Sequence, residues 1–138
     1  MRVALLSLLG LLVASGCLPS PQQAQTRDLL DQLTRARATL RQDPALADGC
    51  AAVGDAETRL YGEPGLVDVQ PAWTELADVA HALQAVCGQG ALAAQPGLDS
   101  PASRAAQQRW QQGIQRELGV ACDHLRAAAA DLGRGAPC

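Results

Sequence analysis

Glu117, His124 and Asp131 stand seven residues apart near the end of this 138-residue chain. On a helix that spacing puts all three on one side, and a carboxylate–imidazole–carboxylate line can bind a cation or pass protons. Seven helical residues separate neighbours by about 10.5 Å, too far for direct hydrogen bonds, so the line reads as the solvated flank of an amphipathic helix. Asp78 and His81 are three apart and can pair on the surface of another helix. Glu57 is more unusual, because it shares an apolar stripe with Val53 and Leu60. There it either reaches water at the end of a bundle or marks a polar spot in a groove. Glu57, His81 and His124 are thus the candidate polar or ligand-binding residues, and one deep pocket holding them would speak for catalysis. No serine has the Gly-x-Ser-x-Gly setting of an esterase, and no glycine-rich loop follows a strand. No catalytic residue is assigned, and the chain is expected not to be an enzyme. Arg35, Arg37 and Arg41 make one helix basic toward its end and read as a solvated face. Trp73 and Trp110 are expected in the core at one level of their helices, since an exposed tryptophan would mark a partner-binding spot.

The segment before these residues bears on where they operate. Arg2 is followed by the apolar run Val3–Ala14 and then by Ser15-Gly16-Cys17. A membrane-spanning helix needs about 20 apolar residues, and this run is too short. A charged start, a short apolar region and small residues at the break make a secretory signal peptide. Leu12-Val13-Ala14-Ser15-Gly16-Cys17 resembles the bacterial lipobox, with Ala14 where a larger aliphatic residue is usual. The resemblance covers only this segment. It implies export, cleavage before Cys17, and a diacylglycerol anchor on Cys17 that holds the protein to the membrane. Leu18 stands where an Asp would retain a lipoprotein at the inner membrane. That implies the periplasmic face of the outer membrane if the cell has one, and otherwise the outer face of the cytoplasmic membrane. Acyl chains contribute about 0.8 kcal/mol per buried methylene, so two or three anchor firmly. Residues 1–16 are then the cleaved leader, 17–25 the lipidated cysteine and tether, and 26–138 a single domain. A tether of about four to nine residues at roughly 3.4 Å each keeps that domain within about 15–30 Å of the anchor.

Four helices and no strand are expected to position the polar residues. Ser20-Pro21-Gln22-Gln23 is a helix start, with a capping Ser, Pro in the first turn and Gln three residues on. The first helix runs from there, or from Thr26, to about Gln42, with Leu29, Leu33, Ala36 and Leu40 on one face. Asp43-Pro44 repeats the start signal for a second helix ending at Gly62, with Leu46, Cys50, Val53 and Leu60 on its stripe. Glu63-Pro64-Gly65 is a turn signature within a loop over residues 62–70. Pro71 opens a third helix that ends at Cys87-Gly88, with Leu76, Val79, Ala80, Leu83 and Val86 facing inward. Ser100-Pro101 opens a fourth, striped by Trp110, Ile114, Leu118, Ala121, Leu125, Ala128 and Leu132 and ended by Gly133. The glycines at 88–90 and 133–135 read as punctuation at helix ends. Short connections favour an all-α, up-down-up-down four-helix bundle. Its last helix is about 48 Å long against about 26 Å for the second and third, so it overhangs the bundle, breaks or bends. Gly119 is the weak point, and the unbroken phase of the stripe favours one bent helix.

The cysteines sharpen this arrangement. Removing Cys17 to the anchor leaves Cys50, Cys87, Cys122 and Cys138, and four cysteines in an exported domain imply two disulfides. In an antiparallel bundle the start of the second helix and the end of the third share one end, which favours Cys50–Cys87. The residues after Leu132 can reach back along about 15 Å of helix, which favours Cys122–Cys138. A fold-back at Gly119 would overturn that ranking. The competing metal site would use Cys122-Asp123-His124, with His81 near Cys87. Against it, the chain has no Cys-x-x-Cys, no His-x-x-x-His and no Met after position 1. No metal ligands and no cofactor are assigned, and the haem-attachment motif Cys-x-x-Cys-His is absent.

Composition narrows the function. Without residues 1–16 the chain keeps ten arginines against 14 carboxylates, a side-chain net charge of about −4. Nucleic-acid binding needs clustered positive charge and is not expected, nor is a polybasic patch for anionic lipid. Lys, Asn and Phe are missing and Ile occurs once. Their AT-rich codons point to a GC-rich genome rather than to function. With two Trp and one Tyr as the only aromatics, the core must be Leu, Val and Ala, and disulfides supplement it. The expected protein is a small, non-enzymatic helical lipoprotein of the cell envelope that acts through protein–protein contacts, with an exposed apolar patch or groove. Its architecture is similar to that of small helical lipoproteins that serve as secretion pilotins, an analogy of architecture alone. The alternative is a ligand- or metal-binding bundle of the exported compartment.

Overall fold

The computed structural model describes residues 20–63, 65–97 and 99–138. The expected leader, Cys17 and the start of the expected tether lie outside the described residues, as do Pro64 of the turn signature and Leu98. Four α-helices and one 3-10 turn, with no strand among the described residues, make up the chain: α1 (Pro21–Gln42), α2 (Ala47–Gly62), the turn Leu66–Asp68, α3 (Ala72–Ala93) and α4 (Pro101–Asp131). No helix among them is long and apolar enough to cross a membrane.

The Ser20 signal starts α1. The Ser20 hydroxyl accepts from the Gln23 backbone N–H at 3.2 Å, and the Gln23 side chain accepts from the Ser20 N–H at 3.4 Å. Two amides that the first turn would leave unpaired are thereby satisfied. Residues 21–25, assigned above to the tether, are therefore the first turns of α1. Ser20→Ala is expected to cost about 1 kcal/mol, read as a lower urea midpoint at unchanged slope; an unchanged midpoint would mean that the cap contributes nothing.

Asp43-Pro44 does not open α2. The Asp43 carboxylate accepts from the Ala45 N–H at 3.0 Å, and its carbonyl accepts from Leu46 at 3.1 Å. The pair thus forms the turn between α1 and α2, and α2 starts at Ala47 with Leu46 as an uncapped and exposed N-cap. The third helix also departs from expectation, because α3 runs through Gly88 and Gly90 to Ala93. Gly90 is buried against the backbone of Pro44, so it serves close approach rather than termination. The loop after α2 contains the 3-10 turn, whose Leu66 is fully buried.

The predicted stripes otherwise form the core. Leu29, Leu33 and Leu40 of α1, Val53 and Leu60 of α2, Leu76, Val79, Leu83 and Val86 of α3, and Ile114, Leu118 and Leu125 of α4 are buried in one cluster. The most extensive helix–helix interface joins α3 to α4. Polar contacts tie the other pairs. Arg59 of α2 bonds Asp28 at 3.0 Å and Gln32 at 2.8 Å on α1. Arg27 and Arg37 of α1 donate to the carbonyls of Leu132 and Leu118 at 3.2 and 2.9 Å. Cys50–Cys87 joins α2 to α3, and Cys122–Cys138 ties the C-terminal tail back to α4, with Cα–Cα distances of 5.8 and 6.0 Å. Helix α4 is continuous through Gly119, and its buried residues begin only at Gly113, which leaves its first three turns largely exposed.

Candidate functional site

Glu57, His81 and His124 do not converge. Glu57 lies half-buried between α2 and α3 and accepts a hydrogen bond from the Gln84 side chain, so its place on the apolar stripe is met by a polar partner on the facing helix. His81 is exposed on α3. His124 turns toward α3, where its Nδ1 lies 2.6 Å from Oε2 of Glu75 and 3.9 Å from Oδ2 of Asp78. One donor atom from each of Glu75, Asp78 and His124 lies within 4.8 Å of the others.

This triad differs from both groupings suggested by spacing. Glu117 pairs with its neighbour Arg116 at 3.2 Å, and Asp131 is exposed. Asp78 faces His124 rather than His81. The partners of His124 lie on a different helix, far away in the chain, so helical periodicity within one segment could not find them. The signal that was available is flank position. Glu75 and Asp78 border the buried Leu76 and Val79 on α3, and His124 borders the buried Leu125 on α4. Residues flanking two facing stripes meet when the stripes pack.

Two concave surfaces lie elsewhere. A groove of about 710 Å³ between α1 and α4 is lined by Arg37, Arg41, Gln42, Gln115, Leu118 and Arg126, with the disulfide-tethered tail as one wall. A second hollow shares Arg41 and Gln115 with it and continues over Gln108 and Gln111. Burial, and then the proximity of Arg41 and Arg126, lowers the pKa of Arg37 from its ordinary value. Among the described residues, no carboxylate pairs with Arg37 or Arg41. Arg126 donates to the main-chain oxygen of Cys138 at 2.8 and 3.0 Å and lies 3.6 Å from Asp123. Of the arginines toward the end of α1, Arg35 and Arg41 are exposed as expected and Arg37 is half-buried, and Arg37 and Arg41 help line a concave cationic surface. Helical phase placed them together, but only the packing of α4 set Arg126 opposite them.

Both tryptophans are half-buried, but they do not share a level. Trp73, in the first turn of α3, donates to the Leu60 carbonyl at 2.8 Å and packs edge-to-face on Tyr61 with ring centroids 5.4 Å apart. The turns of α4 around Trp110 meet the other end of α3, where Gln107 donates to the Ala93 carbonyl and Gly113 abuts Gln89. The start of α3 faces the later turns of α4, where Glu75 and Asp78 meet His124, so Trp73 lies far from Trp110. No protein-family model matches the chain, and comparison with curated proteins and with solved structures finds no match.

Proposed function

We propose that this chain is a lipid-anchored, non-enzymatic protein of the cell envelope, and that the groove lined by Arg37, Arg41 and Arg126 docks an acidic segment of a partner protein. The observation that carries the reading is the concentration of guanidinium groups in a concave surface, with no carboxylate on Arg37 or Arg41 among the described residues, in a chain whose net charge is −3. Guanidinium groups favour bidentate contact with carboxylates, and the adjoining glutamines add neutral donors and acceptors. The expected contact surface was apolar. The groove favours charge complementarity instead, which contributes more to specificity and association rate than to raw affinity. The polar contacts of α1 with α2 and α4, and of α2 with α3, support an up-down-up-down arrangement.

In this reading Cys17 carries the lipid, and the lipobox resemblance with Leu18 after the cysteine supports the outer membrane as the site. Arg41 is 20 residues beyond Pro21, or about 30 Å along α1. A partner docked there reaches the protein on the side away from its tether.

Crosslinking of the full chain in its own membranes tests the reading. A partner captured by wild type should be lost, by at least about tenfold, in Arg41→Glu, and retained in Arg109→Glu, where the changed charge lies outside the groove. Raising salt should weaken capture by wild type. Equal capture by both variants, or no specific partner for wild type, would overturn the proposal.

A further inference from the structure

We propose that Glu75, Asp78 and His124 form a binding site for a single divalent transition cation, Zn²⁺ being the probe of choice, clamped between α3 and α4. The three side chains offer one imidazole nitrogen and two carboxylate oxygens, a donor set that suits Zn²⁺ and its neighbours better than the all-oxygen cations Ca²⁺ and Mg²⁺. Glu75 and Asp78 stand three residues apart on α3, so both carboxylates project toward the same flank, and His124 reaches them from α4. A tetrahedral ion with ligand distances of about 2.0–2.1 Å needs donor atoms about 3.3 Å apart. The separations of 2.6 and 3.9 Å from His124 Nδ1 bracket that value, so side-chain shifts below about 1 Å would close the site around an ion.

Charge points the same way. Two carboxylates converge here, and among the described residues no arginine pairs with either of them; their only ion-pair partner is His124. The chain has no lysine. A bound dication would neutralise both carboxylates at once. The exposures of the three side chains are 27% for Glu75, 33% for His124 and 53% for Asp78. The α3–α4 junction thus covers one side of the site, while Asp78 leaves the other open to water, which would fill the fourth position. Disulfide bonding takes Cys122 out of the donor set, so neighbouring His124 acts without it. The competing account is a charged His124 that simply links two carboxylates by hydrogen bonds and has no use for a metal.

The chain contains two histidines, so each imidazole can be followed separately. The full chain, purified in detergent with both disulfides formed and stripped by a chelator, is titrated with Zn²⁺ while imidazole ¹⁵N resonances are recorded. One equivalent is expected to bind with a dissociation constant at or below about 100 μM. The Nδ1 resonance of His124 should move to its metal-bound position, and His81 should stay unshifted. Asp78→Asn, an exposed change that leaves the 2.6 Å contact of His124 with Glu75 in place, should weaken binding by about tenfold or more. His124→Gln should abolish it, and His81→Gln should leave it unchanged. A His124 resonance that does not respond to Zn²⁺, binding that survives His124→Gln, or affinity unaltered by Asp78→Asn would each overturn the proposal.

Discussion

Replacing Cys50 and Cys87 with alanine is expected to lower the stability of the fold by about 4 kcal/mol. The bridge spans 37 residues, and the loop-closure entropy it removes from the unfolded chain at that length corresponds to about 4 kcal/mol near 25 °C. Apart from the loop between them, nothing else covalent holds α2 to α3, and the aliphatic core around the bridge is modest. Much of it is alanine, with Ala36, Ala56, Ala80, Ala121 and Ala128 all buried. Each alanine buries little apolar area, and hydrophobic stabilisation scales with that area. A total stability of about 5–15 kcal/mol is usual for a domain, so this loss takes a large share. Urea unfolding of the double variant against the oxidised wild type measures it. A difference below about 1 kcal/mol would show that the unfolded chain is not restrained as the loop length implies. Removing Cys122–Cys138 should act more locally, freeing the tail that walls the cationic groove.

Gly90→Ala is expected to destabilise the protein by about 2–3 kcal/mol, although alanine is the better helix former by about 1 kcal/mol. A Cβ at Gly90 would collide with the carbonyl oxygen of Pro44 and come within 2.6 Å of its carbonyl carbon and 2.9 Å of its Cβ. These are backbone and ring atoms of the α1–α2 turn, which cannot swing aside without moving the turn. Gly88 and Gly113 are the controls. A Cβ at Gly88 meets nothing within 4 Å, so Gly88→Ala should stabilise α3 by up to about 1 kcal/mol. At Gly113 the obstacle is the end of the Gln89 side chain, which can rotate away, so the effect of alanine there should be small. Urea midpoints for the three variants give the comparison. If Gly90→Ala proves as stable as Gly88→Ala, the close approach of Pro44 to α3 is wrong.

The same two regions separate what could be read along the chain from what could not. Leu29, Leu33 and Leu40, or Leu118 and Leu125, recur at helical spacing, and apolar periodicity of this kind fixes which face must be buried. The Ser20 and Ser100 caps are local chemistry and start α1 and α4 as expected. The disulfide pairing was accessible because chain order and helix length limit which cysteines can meet. Gly90 and Asp43-Pro44 misled for one common reason. Glycine, and Asp before Pro, are ambiguous locally, and each took the conformation that the contact between the α1–α2 turn and α3 requires.

By itself, therefore, the sequence determined the four helices, their buried faces and the pairing of Cys50, Cys87, Cys122 and Cys138, because each rests on neighbours, spacing or chain order. The tertiary structure decided which polar flanks face each other. It set His124 against Glu75 and Asp78, Glu57 against Gln84, and Arg126 beside Arg37 and Arg41. These contacts join residues of different helices, and their geometry depends on the axial register of two packed helices. Hydrophobic stripes tolerate a shift of one turn in that register at modest cost, whereas a side-chain hydrogen bond tolerates only a few tenths of an ångström. The chemistry of this protein is for that reason more deeply hidden in its sequence than its fold is.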